Sequence, residues 1–207
     1  MSEGTYWIYR GIVRYTHHIN RVGEVQVTWR MVIRRFIQRG DVWAAVVNGF
    51  PSDLDWSEGK AKPWDSLLIE FKGKFYLVGA ERFAEAVHRL EQPSDDLAGL
   101  LRDDDVFLQW PLQQGDKFCD ADGMARPDRM YCWSVESSRL TLLNRTTGVP
   151  PGKHTEFVIQ YRTNPDHEKF TFVPAIGMTT YEYHHHGTVA DTELKLVAFH
   201  QPSAEEK

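Results

Sequence analysis

A chain of 207 residues that is 42% apolar and 13% aromatic carries enough hydrophobic matter for one core, which excludes wholesale disorder. Its net charge of −5, from 24 Lys+Arg against 29 Asp+Glu, excludes a nucleic-acid binder that works through a broadly basic surface. The apolar runs are only a few residues long, too short for a membrane-spanning helix.

The first segment, Thr5 to Tyr15, is rich in aromatic and β-branched residues and predicts a strand. From Val25 to Ile33 the odd positions are all apolar and the even ones mostly polar, the period of a strand with one buried face. Asn20-Arg21-Val22-Gly23 joins the two as a long hairpin, and the phase blurs at Arg34-Arg35-Phe36, which suggests a bulge or a strand end. After the turn Arg39-Gly40-Asp41, the run Val42 to Val47 is apolar on both faces and reads as a central strand. Residues 52–64 form a loop holding Trp56 and Trp64. Ser66–Phe71 and Phe75–Val78 then make a short hairpin about Lys72-Gly73-Lys74.

After Gly79 the period changes. Ala80, Phe83, Ala84, Val87 and Leu90 define an amphipathic helix that Pro93 stops, and Ser94 can cap a second short one. Asp103-Asp104-Asp105 closes this insert as a solvated turn, because no further oxygen ligands follow at the spacing a metal loop needs. Beyond it the chain is β again. Phe157, Ile159 and Tyr161 alternate with more polar neighbours, Phe170 and Phe172 continue after the turn at Asn164-Pro165-Asp166, and Met178–His186 and Val189–Phe199 form a last hairpin around Gly187. The tail from Gln201 reads as frayed.

Pro111 to Phe118 echoes the very start of the chain: Leu112 stands where Met1 stands, Gly115 where Gly4 stands, Phe118 where Trp7 stands. The fold expected is therefore mainly β and a single domain over 1–207. It is a curved antiparallel sheet or open barrel with a helical insert near 80–102 (80–105 with its closing turn). Residues 1–79 and 111–200 are either related halves or two unrelated strand starts that share a glycine turn. If related, the counterpart of Pro111 would precede Met1, as in a chain whose leader has been removed.

The proline-leucine-x-x-glycine-x-x-aromatic start at Pro111–Phe118 resembles that of uncharacterised bacterial exported or lipoprotein-type β-domains. So does Phe172-Val173-Pro174-Ala175-Ile176-Gly177-Met178, although Ala175 stands where such proteins carry glycine. The resemblance covers two short motifs and the general β layout. It implies a curved antiparallel sheet outside the cytoplasm and carries no known catalytic residues.

Cys119 and Cys132 flank a turn-like stretch containing Gly123 and Pro127. If the flanking strands pair, the two cysteines fall opposite each other within disulfide reach, which would fit export; the alternative is two reduced thiols in a cytoplasmic protein. Their spacing is not that of a redox or zinc pair.

Known catalytic templates are absent, and Asp53 and Asp55 read as an ordinary turn rather than a carboxylate pair. Alternation puts His184 and His186 on one strand face with Glu182, close enough for a shared zinc or other transition metal, with His17-His18 as a further source of ligands; the plainer reading is an exposed polar edge. Tyr181 and Tyr183 point to the opposite face. Seven tryptophans are present, of which Trp7, Trp29 and Trp43 read as core, while Trp56 and Trp64 either plug the end of the sheet or cover a ligand. The leading expectation is a non-enzymatic, extracytoplasmic binding or structural domain. It would hold an apolar or amphipathic ligand near Trp56, Trp64, Tyr181 and Tyr183, with no cofactor and no nucleic-acid partner. A metal protein centred on the histidines and a protein-interaction module are the alternatives.

Overall fold

A computed structural model describes residues 2–17 and 21–202. Met1, His18, Asn20 and the tail from Ser203 lie outside the described residues, so the expectations placed on them stay with the sequence.

Twelve strands form one sheet: β1 (Tyr6–Thr16), β2 (Val22–Arg39), β3 (Val42–Asn48), β4 (Asp65–Phe71), β5 (Lys74–Val78), β6 (Val106–Gln109), β7 (Lys117–Phe118), β8 (Trp133–Leu142), β9 (Lys153–Arg162), β10 (Asp166–Val173), β11 (Gly177–His185) and β12 (Ala190–His200). Their order is β6-β5-β4-β3-β2-β1-β12-β11-β10-β9-β8-β7, with each neighbour antiparallel. Every neighbouring pair is adjacent in the chain except at the centre, where the first strand meets the last, and β6 and β7 form the two edges. The sheet curls until its two edges face each other, giving a nearly closed barrel. Phe107 of β6 reaches across that seam to stack on Phe170 of β10, with ring centres 5.2 Å apart, and meets Trp133 of β8 edge-on at 5.9 Å.

The alternation in β2 turns Trp29, Met31 and Ile33 inward, where they are buried. A register shift between Ile33 and Arg35 re-phases the strand, so that Arg35 lies opposite Val46 and Phe36 opposite Ala45. Arg35 thereby points outward, where it reaches Glu91 of the helix α1 (Ala80–Glu91) at 2.7 Å. This helix covers the convex side of β2, β4 and β5. That cover is why β3 is apolar on both faces: one looks into the barrel and the other lies beneath α1. The buried helical face is Phe83, Ala86, Val87 and Leu90, whereas Ala80 and Ala84, expected on it, are exposed. At 100° per residue Ala84 falls well beyond Val87, outside that arc, and Ala80 falls at its rim in the first turn.

The second helix expected after Ser94 does not form. The carboxylates of Asp95 and Asp96 instead accept from the backbone N–H groups two residues on, Leu97 at 2.7 Å and Ala98 at 2.9 Å, which closes turns rather than a helical start. Arg89 clamps Asp95 with two bonds of 2.8 and 2.9 Å, holding its carboxyl down at about 2. Asp103–Asp105 is a 3-10 turn, with Asp105 gripped by Arg82 and Asp103 by Lys74.

Phe118 of β7 pairs with Trp133 of β8, so Cys119 falls beside Cys132 and the two form a disulfide with Cα atoms 4.9 Å apart. Between them lies the one-turn helix α2 (Ala121–Ala125), capped by Asp120, whose carboxylate accepts from the Gly123 N–H at 2.7 Å. Gly123 packs so close that a Cβ there would sit 2.9 Å from the Cys119 sulfur.

The strand starts at Gly4 and Gly115 carry the same hydrogen bonds. The Gly4 N–H donates to Ile33 and the Ile33 N–H to Thr5; the Gly115 N–H donates to Val135 and the Val135 N–H to Asp116, all at 2.8–2.9 Å. Each receiving strand has its register shift at that point, after Ile33 in β2 and after Val135 in β8.

Candidate functional site

The concave face of the sheet has a closed end and an open end. The closed end is made by the loop between β3 and β4. Its first residues turn inward through a 3-10 segment, Pro51–Leu54, that buries Phe50 and Leu54. The indole of Trp29 donates to the Gly49 carbonyl at 2.8 Å, and the Gly49 N–H donates to the Trp64 carbonyl at 3.0 Å, pinning both ends of the loop.

A polar network then ties the loop to the wall. The Tyr181 hydroxyl donates to Asp55 Oδ2 at 2.5 Å, and Glu168 of β10 and Thr192 of β12 stand beside this pair. Trp56 Nε1 donates to the Tyr183 hydroxyl at 2.6 Å, and that hydroxyl donates to Asp166 Oδ1 at 2.6 Å. His185 Nδ1 lies 2.8 Å from the same oxygen, and the Trp56 ring meets His185 edge-on with centres 4.5 Å apart. Asp53 accepts from the Trp64 backbone N–H at 3.1 Å. Asp53 Oδ1 and Asp55 Oδ1 are both shut off from solvent and have no hydrogen-bond partner.

Burial dominates the electrostatics here. Loss of solvation pushes the Asp53 carboxyl up to about 7, against the bond from Trp64. It pushes Glu168 to about 7 as well, and Asp55 well above the usual carboxylate range, in both cases against the bond from Tyr181. Desolvation likewise raises the Tyr181 and Tyr183 hydroxyls. Asp166 differs: burial raises it, but bonds from Tyr183, His185 and Thr163 outweigh that and hold it below its ordinary value.

The open end is apolar. A cleft of about 360 Å³ is lined by Ile33, Phe36, Trp43, Ala44, Ala45, Leu68 and Phe75, with Glu70 its one charged wall residue. Phe36 is 37% exposed and Trp43 is 47% exposed. Trp43 is therefore not core as expected: it pairs with Glu70 across β3–β4, on the side away from α1 that nothing fills.

Of the residues singled out from the sequence, Trp56, Tyr181 and Tyr183 are brought together in the network at the closed end, and Trp64 joins it through its backbone. None of the four lines the open cleft. Of the proposed metal ligands, His184 and Glu182 lie on the outer face, where Glu182 pairs with Lys169 and His184 Nδ1 lies 3.2 Å from Asp191 Oδ1. The ring of His167, directly across on β10, is 6.4 Å from that of His184. His186 lies just past β11, its N–H bonded to the Pro165 carbonyl. His17 meets Tyr15 edge-on at the end of β1. Among the described residues no three His, Cys, Asp or Glu side chains converge on one point as a metal would require.

Sequence reasoning missed Glu168 and understated Asp53 and Asp55. A signal for Glu168 existed: it shares the inward phase of Phe170, so an acid stands where the strand wants an apolar residue.

No protein-family model and no curated protein matches the chain. Two solved structures resemble it. One is a protein thought to be exported, with a YmcC-like fold, from Bacteroides fragilis: 10% identity, TM-score 0.43, covering 97% of each chain. The other is a protein thought to be a lipoprotein, from Parabacteroides distasonis: 10% identity, TM-score 0.41, covering 96% of each chain. Among the described residues no helix is long and apolar enough to cross a membrane.

Proposed function

We propose that this protein is an extracytoplasmic binding domain that holds an apolar or amphipathic ligand in the open cleft of the concave face. The observation that carries the reading is the cleft itself. A concavity of about 360 Å³ falls in the range of small-ligand sites. Its aromatic lining stands partly in water, at a cost that a ligand would relieve. Glu70, paired with Trp43, gives the cleft one polar point, where an amphipathic ligand would place its head group. The Cys119–Cys132 disulfide supports a place outside the reducing cytoplasm.

The same reading takes residues 1–79 and 111–200 as two copies of one unit. The matched bonds at Gly4 and Gly115 support it. On this view the two units differ in what occupies their concave faces. The second is packed by Phe170, Trp133 and the seam residue Phe107, while the first is left open.

The test is titration with N-phenyl-1-naphthylamine, a neutral apolar fluorophore, at pH 5.5. Saturable binding that weakens at least tenfold in Trp43→Ala and in Leu68→Gln is expected. No saturable binding, or equal binding by both variants, overturns the reading.

A further inference from the structure

We propose that the β3–β4 loop, residues 49–64, is a proton-operated latch: carboxylic acids at Asp53, Asp55 and Glu168 hold it in the barrel mouth, and their ionisation releases it and lengthens the concave cleft. The consequence for the cleft rests on the binding reading above; the latch itself does not.

Hydrogen-bond accounting leads to it first. The Tyr181 hydroxyl carries one proton, which it gives to Asp55 Oδ2, so it has none left to offer the Glu168 carboxyl that also acts on it. Two further carboxylate oxygens, Asp53 Oδ1 and Asp55 Oδ1, are enclosed with no donor at all. An enclosed carboxylate without donors is far costlier than an enclosed acid.

The surroundings offer no compensating charge. From the loop come Asp53 and Asp55; from β10, Glu168 and Asp166; from β11, Tyr181, Tyr183 and His185; from β12, Thr192; from β4, Asp65. Arg34 of β2 reaches only Asp65, at 3.6 Å, and the loop's Lys60 pairs with its Glu58 at the exposed rim, where Lys62 also lies. Among the described residues no lysine or arginine is bonded to Asp53, Asp55 or Glu168, and the one imidazole is committed to Asp166. Burial therefore places the ionisation of Asp53 and Glu168 near neutral pH, where a modest rise charges the cluster. Like charges on the loop and on β10 then repel on either side of the Tyr181 hydroxyl.

What the latch holds is apolar. Phe50 and Leu54 are buried, and Phe50 meets Phe107 edge-on with ring centres 5.8 Å apart. Withdrawing the loop uncovers Phe107 and extends the apolar floor that starts at Ile33 and Ala45. Closure is favoured in acid and opening in mild alkali.

Hydrogen exchange on the full chain at pH 5.5 and 8.0, corrected for the chemical exchange rate, tests this without any ligand. Protection of residues 49–64 is expected to fall at least tenfold at the higher pH, while β9 and β12 change less. The Asp55→Asn/Glu168→Gln variant, in which neither replaced group carries a charge at either pH, is expected to lose most of that dependence, with Asp53 alone retaining the remainder. Tyr181→Phe, which removes the bridge, is expected to loosen the loop at both pH values. Equal loop protection at the two pH values in the unaltered protein overturns the latch, whether or not the variants fold. Unchanged pH dependence in the double variant overturns it too. Fluorophore binding at pH 5.5 separates the two readings: exchange without pH dependence beside intact Trp43-dependent binding removes the latch alone, and the reverse removes the cleft alone.

Discussion

The two halves of the sheet start alike and are then used in opposite ways. In the first, β3 to β5 carry apolar residues on both faces, because α1 covers the convex side and the concave side lines an open cleft. In the second, the concave side is filled by aromatic rings, and the convex side is polar, with His184 beside Asp191 and Lys169 paired to Glu182. The difference teaches that one strand pattern supports either a packed interior or an open cleft, depending on what crosses the seam. Phe107 decides it here, since it leans on Phe170 rather than toward the cleft.

Truncating each side should expose that contrast most strongly. Phe170 is fully buried among Phe107, Trp133 and Tyr181, so Phe170→Ala should cost about 3–5 kcal/mol in urea unfolding. Phe36→Ala, in the open cleft, should cost under about 1 kcal/mol. Equal losses would mean that the cleft is as tightly packed as the filled half.

That contrast was only half legible in the sequence. The alternation from Val25 to Ile33 and the helical period after Gly79 are strong signals, because each rests on local geometry. Trp43 misleads, since a tryptophan inside an apolar strand gives the same pattern whether a neighbouring element covers it or not. Curling of the sheet decides the matter, and it arises from pairs distant in sequence, β1 with β12 and Phe107 with Phe170. Asp53 and Asp55 read as a turn because their burial comes from a loop folding back into a mouth that no local signal describes.

The disulfide belongs to the second half alone and should matter nearly as much as its rings. It closes a loop with a sequence separation of 13, so replacing both cysteines by serine should cost about 3 kcal/mol on the chain-entropy model. Thermal unfolding with and without reductant gives the same comparison without mutation. A loss well under 1 kcal/mol would mean that α2 and the β7–β8 pair hold that corner unaided.

The closed end, where the two halves meet through the loop, should show itself in pH dependence. Asp53 ionises near 3.8 when unfolded and near 7 when folded, so the folded state binds the extra proton between these values. Its contribution is fully present below pH 4 and is lost as pH rises to 7, in the opposite sense to a salt-bridged carboxylate. From pH 5 to 7 the loss should be about 2 kcal/mol, and Asp53→Asn should flatten the curve by a comparable amount. Stability that rises over that window would show that a cation faces the cluster after all.

The smallest effect tests the likeness of the halves directly. Gly4 has φ +82° and Gly115 has φ +94°, conformations that cost an L-residue about 1–2 kcal/mol. A Cβ at Gly115 meets nothing within 4 Å, and one at Gly4 meets only the ring of Pro202, 3.2 Å away. Backbone strain, not crowding, therefore dominates both substitutions. Alanine restores part of the loss by restricting the unfolded chain, so each should destabilise by about 1 kcal/mol net, with Gly4→Ala slightly the larger. Matching losses would show that the two turns answer to the same hydrogen bonds at Ile33 and Val135. A loss at Gly4 beside none at Gly115 would mean that the second turn merely resembles the first: β1 begins at the sheet's centre and needs its turn, whereas the two-residue β7 lies at the edge, where the neighbouring disulfide can hold it.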